Sequence, residues 1–214
     1  MPPTASTRAP QQRSLATRQR LVAAACAAFA RRGFDGASTR EIAQRAGVAL
    51  AALPYHFKTK DALWRAAADD LFARLRARFP PGDDDLATTD LAGRLRRLLG
   101  EFVRFCAEHP ELHHFMMREG SAPSARLTWL VDAHIRPMFA AVDPLLERAA
   151  AAGLLRPQPT PHLLYMIMGA ASVPYAAAPA FRLVTGKDPG YPRLVAAHVD
   201  AVVDLFLPST RGVS

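Results

Sequence analysis

From Thr17 onward, apolar and polar residues alternate with the period of a helix. Leu21, Ala25, Ala28 and Phe29 fall on one face, and "RRGFDG" ends the run with Gly33 placed for a left-handed cap. "STRE" follows, and it predicts a capping box: Ser38 caps a new helix and Glu41 reaches back to Ser38. That helix, "TREIAQRAG", stops at Gly47; Val48 and Ala49 turn the chain, and a short helix is expected from Leu50 to Phe57. Pro54 lies in its second turn, where it should disturb one or two hydrogen bonds. A fourth helix begins near Asp61 and carries Leu63, Trp64, Ala67, Leu71 and Leu75 as one stripe.

"PPGDDD", residues 80–85, breaks the chain, and the pattern beyond it is helical again. Leu91, Leu95, Leu98, Phe102 and Phe105 form an apolar seam that ends at His109-Pro110. A short helix holds "ELHHFMMRE". Another, starting after Pro123, aligns Leu127, Val131, His134, Met138, Val142 and Leu145, with Pro137 and Pro144 expected to bend it. Thr160-Pro161 reads as an N-cap and first helical position, and Pro192 opens a last helix ending before Pro208. No strand signal interrupts the series, so the predicted class is all-α. The expected division is a flexible basic arm over 1–14, a helix-turn-helix domain over 15–78 (its motif at about 38–57) and a second helical domain over 84–208.

Charge sharpens this picture. Residues 1–78 hold 14 Lys/Arg against 5 Asp/Glu, a net +9, while the remainder holds 13 against 14. A segregated positive charge points to a polyanion, nucleic acid first. The two cysteines, Cys26 and Cys106, stand apart within apolar helical patterns and read as buried hydrophobes, not as a disulfide or zinc framework. The N-terminus lacks the apolar core of a signal peptide. "LLYMIMGAASVPYAAAPAF", residues 163–181, is uncharged but is broken by two prolines, and it suits a protein interface better than a bilayer. The expected location is cytoplasmic, with no membrane partner.

Residues Thr17 to Leu75 resemble the DNA-binding domain of the tetracycline-repressor (TetR) family. The resemblance rests on "AAFARRGFDGASTREIAQRAGV" and "YHFKTKDAL". It implies three N-terminal helices that bind an operator in double-stranded DNA, and a larger helical domain that binds a small-molecule effector and forms a homodimer through its last two long helices. Carried over position by position, it places Thr39 and Arg40 against the phosphate backbone. Leu50, Ala51 and Ala52 fall on the outward face of the recognition helix, with Tyr55 and His56 near its end. Lys60, with Lys58 beside it, is placed on a phosphate. Three departures stand out. Ala49 replaces the family's frequent Ser or Thr, residues 50–52 carry no side-chain donor or acceptor, and Pro54 replaces a common aromatic. Residues 50–52 can meet thymine methyls but cannot hydrogen-bond a base edge.

In the second domain, methionines and aromatics on facing helices suit an apolar effector pocket. Phe102, Phe105, Met116, Met117, Glu119, Trp129, His134, Met138, Tyr165 and Met168 are its candidate lining, and His134 is the polar ring on an apolar seam. No cofactor is implied. Two other readings stand beside this one. The first is metal sensing through His109, His113, His114, Glu119 and His134, although no strong ligand spacing occurs. The second is DNA binding without any effector. An enzyme fits less well, since no phosphate loop, nucleophile elbow or two-histidine metal motif is present. The sequence therefore predicts a ligand-responsive transcriptional regulator, most simply a repressor.

Overall fold

In a computed structural model of the chain, residues 8–79 and 90–208 are described. Among them every regular element is helical. Residues 1–7 of the expected arm and the 80–85 break lie outside the described residues. The chain divides into two compact units. The first comprises residues up to Arg74 together with His114–Ala122; the second comprises 75–113 and the chain from Pro123. The expected division at residues 78–84 did not foresee that 114–122 would join the first unit.

In the first unit, helix α1 runs Arg8–Gly36, so residues 8–14 are helical instead of belonging to an arm. The helical run breaks at Gly33, as the sequence pattern expects, with φ 69° and ψ −179° and a kink before its last turn. This is not the left-handed cap expected but an extended conformation with positive φ, a region essentially reserved for glycine. Helix α2, Thr39–Arg45, follows Ser38, whose backbone is extended as an N-cap requires. The capping box does not form, because the Ser38 side chain makes no cap bond. Glu41 turns instead to Arg31, Arg32 and Arg45, at 3.5, 2.7 and 3.6 Å. Three charged donors outcompete one backbone N–H.

After Gly47 (φ 62°) the expected third helix divides in two. A 3₁₀ turn spans Leu50–Ala52, and α3 spans only Leu53–His56. Pro54 therefore lies in the first turn of α3, where its missing N–H breaks no hydrogen bond. The disturbance expected from the sequence does not arise. Helix α4, Lys60–Ala77, is capped by Thr59, whose hydroxyl accepts from the Ala62 N–H at 3.0 Å. Its stripe of Leu63, Trp64, Ala67, Leu71 and Leu75 is buried as the periodicity demands. Within this unit Trp64 stacks on Phe115 at 5.3 Å. Arg118 donates to the carbonyls of Ala30 and Arg31 at the end of α1.

The second unit is built on α5, Leu91–Glu108, with α8 (Arg136–Ala151), α9 (Thr160–Ala176) and α11 (Pro192–Phe206). Asp90 caps α5 by accepting from the Gly93 N–H at 2.7 Å. The buried apolar side chains of α5 are Leu95, Leu99, Val103, Phe105 and Cys106; Leu95 and Phe105 belong to the seam read in the sequence, while Leu91, Leu98 and Phe102 of that seam are only partly buried. At Gly100 a Cβ would lie 3.2 Å from Val199, so α11 lies close against α5 at this point. Helix α6 spans Pro110–Glu119 and α7 spans Ala125–Leu130, the latter capped by Ser124.

A five-residue π-helical segment, Val131–Ile135, then precedes α8, with Pro137 in the first turn of α8. The expected continuous helix is thus interrupted by a wider turn just before a residue that cannot donate to the turn behind it. Thr160 is not the N-cap of α9. Pro159 holds that position, and the Thr160 hydroxyl donates to the Asp143 carboxylate. Helix α10 spans Ala178–Thr185 and is bent by 69° from α9. Among the described residues no single helix is long and apolar enough to cross a membrane.

Candidate nucleic-acid interface

The segment between α2 and α4 is held from beneath and bare above. Leu53 and Phe57 are buried, at 5% and 4% exposure, and anchor the short helix into the first unit. The Phe57 N–H closes α3 by donating to the Leu53 carbonyl at 2.9 Å, and the Arg18 guanidinium lies 4.9 Å over the Phe57 ring. Between these anchors the outward residues are Ala49, Leu50, Ala51, Pro54 and Tyr55, all exposed. Tyr55 is 82% exposed, and its ring meets only the edge of His56, at 5.2 Å. It does not pack against α1. Ala52 and His56 are half-buried at the margin of this face.

Charge flanks the apolar face. Arg40 and Lys58 are exposed, and Thr39 is half-buried at the start of α2. Lys60 is held: its Nζ donates to the Asp35 carbonyl at 3.4 Å and lies 4.8 Å over the Phe34 ring. One of its three N–H donors is used there, which leaves capacity for an anion from a fixed position. Gln44 and Arg45, exposed on α2, were not singled out in the sequence. Their position one turn after Arg40 was the signal that could have found them. Arg45 shares Glu41 with Arg31 and Arg32, so part of the local positive charge is neutralised within the unit.

The effector candidates scatter between the units. Met116, Met117 and Glu119 belong to the first; Glu119 is buried, Met116 half-buried and Met117 61% exposed. In the second, Phe105 is core, with its ring 4.7 Å from His109. Phe102, Trp129, Met138 and Met168 are half-buried, and Tyr165 is 67% exposed. His134 is buried on the π-helical segment, its ring 5.3 Å from Trp129, and its Nδ1 lies 3.3 Å from Arg76 Nη1. A guanidinium can only donate, so Nδ1 is placed to accept from Arg76. The polar ring thus meets an arginine near the end of α4, a partner the sequence pattern could not name.

A small cleft of about 120 Å³ opens elsewhere in the second unit, lined by Leu146, Glu147, Ala150, Arg156, Pro157, Gln158, Thr160 and Leu163. None of the effector candidates lines it. The buried polar groups foreseen least are those around Tyr175 on α9. Ser172 lies 2.7 Å from His113 Nδ1, and His198 lies 2.9 Å from the Ala170 carbonyl and edge-on to Tyr175 at 5.6 Å. The Tyr175 hydroxyl is buried and finds no hydrogen-bond partner among the described residues. Burial pushes its pKa to about 12, with the neighbouring Cys106 adding to the rise. Among the described residues no three His, Cys, Asp or Glu side chains gather as a metal site; His109 faces Glu111 and His113 faces Ser172.

Two families of known proteins match this chain. Residues 21–67 match "Bacterial regulatory proteins, tetR family", and residues 92–206 match "Tetracyclin repressor-like, C-terminal domain". The chain is 21% identical over 161 residues to a Bacillus subtilis (strain 168) protein named "Probable HTH-type transcriptional regulator YttP"; the match covers 75% of this chain and 78% of that one. Among solved structures, HlyIIR, a hemolysin II transcriptional regulator, superposes with a TM-score of 0.65 at 22% identity, over 89% of this chain and 99% of its own. AibR, solved in complex with isovaleryl coenzyme A and operator DNA, superposes with a TM-score of 0.70 at 16% identity, over 90% of this chain and 98% of its own.

Proposed function

Because the chain belongs to the tetR family of bacterial regulatory proteins, and is a DNA-binding transcriptional regulator and not an enzyme, we propose that it is a homodimeric repressor, released from a near-palindromic operator by a small, largely apolar effector. The observation that carries this reading is the bare face of the Leu50–His56 segment on a basic unit. A side chain as large as Tyr55, held outward with almost no contact, has its use in a partner, and the flanking Arg40, Lys58 and Lys60 suit phosphates. Such a short segment reads only a few base pairs, so two copies must act together. Their centres would lie ~34–36 Å apart on successive major grooves.

The dimer would form through α9 and α11. Tyr165, Met166 and Val173 on α9 and Leu205 on α11 are exposed in the single chain, and exposed apolar groups of this size suit an interface between copies. Ala171 and Val202, on the same two helices, are buried in the core of their own subunit, so changes there test folding and not the interface. The effector would bind the second unit, whose buried Tyr175 hydroxyl offers a donor to a ligand oxygen. That AibR was crystallised with an acyl coenzyme A and its operator favours an effector with an apolar part. Such an effector acts only by its differential affinity for the DNA-competent and released states.

Selection of bound sequences from a random DNA pool, with sedimentation of the free protein at micromolar concentration, tests the reading. An enriched two-fold site and a dimer are expected. A stable monomer with no enriched sequence would overturn it.

A further inference from the structure

We propose that the recognition segment reads thymine methyl groups, so that the central contacted positions of each operator half-site are thymines. The inference rests on the operator-binding reading above and names the chemistry of that contact.

The outward face of the segment, from Ala49 to Tyr55, is methyl and methylene over its whole length until the phenol of Tyr55. Leu50 is 44% exposed, and Ala49, Ala51 and Pro54 are exposed beside it. None of these four side chains can donate or accept a hydrogen bond. Ala51 and Pro54 are both exposed, one on the 3₁₀ turn and one in the first turn of α3, while Leu53 between them is buried as the anchor. At roughly 2 Å of rise per residue in the 3₁₀ turn and 1.5 Å in α3, the apolar stretch is ~8 Å long. That length covers about two base-pair steps of ~3.4 Å.

The occupant follows from charge and from the groove's own chemistry. Arg40 and Lys58, exposed on either side, and Lys60, fixed beside Phe34, complement a phosphate backbone. Between two backbones the major groove offers hydrogen-bonding groups at all four bases, and at guanine, cytosine and adenine an apolar face would leave them desolvated with no apolar contact in return. Thymine alone presents a methyl group there. An apolar strip therefore favours thymine by contact and disfavours guanine by the unpaired acceptors it would bury. Polar readout is left to Tyr55 and His56 at one end of the strip and to Gln44 and Arg45 on α2, so base-edge hydrogen bonds would mark the flanks of the half-site and not its centre.

The test is made with the full chain and duplex DNA. Sites are first selected from a random pool, and single thymines in the enriched half-site are then replaced by uracil, which removes only the methyl group. Loss of one buried methyl corresponds to roughly a four-fold weakening per position. Leu50→Ala, a change at an exposed position, should shrink the difference between thymine and uracil while leaving the preference at the flanks unchanged. An enriched half-site with guanines at its centre, or uracil replacements that cost less than two-fold at every thymine, overturns this inference and leaves the regulator intact. A pool without any enriched sequence overturns the operator-binding reading itself.

Discussion

Replacing Tyr175 by Phe should make the protein more stable. The ring sits in the core of the second unit, where its hydroxyl finds no partner among the described residues and His198 meets it only edge-on at 5.6 Å. A buried hydroxyl without a partner carries a desolvation penalty of about 1–3 kcal/mol. Removing one oxygen atom sacrifices a few dispersion contacts and leaves a gap far smaller than a methyl group, which costs a fraction of that. The net expectation is a gain of about 1 kcal/mol, or ~2–4 °C in melting temperature for a chain of this size. Urea unfolding of the two proteins at neutral pH measures it, at equal chain concentration because dimer formation would contribute. A loss of 1 kcal/mol or more would show that the hydroxyl is bonded in solution, and the argument from its isolation would fail.

The same residue predicts the shape of the alkaline limb. Burial raises the Tyr175 pKa from 10.0 to about 12 in the folded chain. A raised folded pKa means that the unfolded chain loses its proton first. The stability linked to this group is therefore intact below pH 10 and is lost as the pH climbs toward 12. Phe at 175 removes this contribution, so the variant's advantage should widen above pH 10.

The other expectations concern different parts of the molecule. Burial raises the Cys106 thiol from 9.0 to about 12, so the wild type should already begin to lose stability above pH 9, and Cys106→Ala should flatten that first part of an alkaline denaturation profile. Lys58→Ala and Lys60→Ala should each weaken binding to all DNA sequences alike and make the logarithmic salt slope shallower by about one unit; an unchanged slope for Lys60→Ala would mean that its seat on Phe34 and Asp35 is structural only. At Gly169 an added Cβ meets nothing within 4 Å, so Gly169→Ala should stabilise the isolated subunit by up to about 1 kcal/mol. If α9 forms the seam between copies, the same change should weaken dimerisation, and exposed Leu205→Glu should weaken it further; sedimentation that finds both dimers unchanged would move the interface elsewhere.

The helical skeleton was legible because each amphipathic stripe had to be buried. The stripe Leu63, Trp64, Ala67, Leu71 and Leu75 follows from periodicity alone, and no tertiary partner is needed to place it. The start of α4 and the stop at Gly47 were legible from local backbone chemistry in the same way. Competition was not legible. Glu41 had a capping role in the sequence pattern, but three arginines, two of them on α1, offered it stronger charge-assisted bonds. Likewise, a partner of His134 is Arg76, 58 residues away, and a one-dimensional pattern does not contain that distance. The exposed recognition face was legible only through the resemblance, since composition cannot say which apolar residues remain outside. The effector site stays the least defined, because half-buried methionines and aromatics look alike whether they line a pocket or fill a core.

Pro54 ties the local backbone to the proposed chemistry of recognition. In the middle of a longer helix it would cost ~3 kcal/mol; in the first turn of a four-residue helix it removes a donor that had no acceptor. Its ring also fixes φ, so the chain loses fewer conformations on folding here than with any other residue. The preceding 3₁₀ turn and the buried anchors Leu53 and Phe57 restrain the rest of the segment. A face that makes no hydrogen bonds to bases must gain its discrimination from close contact, and close contact is weakened by motion. Rigidity is therefore what an apolar recognition surface requires. A polar surface could tolerate more motion, since long donors adjust to their acceptors. Pro54→Ala should keep the fold, because α3 gains a donor it does not need, but it should loosen the segment. The expected signature is a smaller penalty for uracil in place of thymine, with the salt slope unchanged. An unaltered penalty would separate the proline's structural convenience from any part in reading DNA.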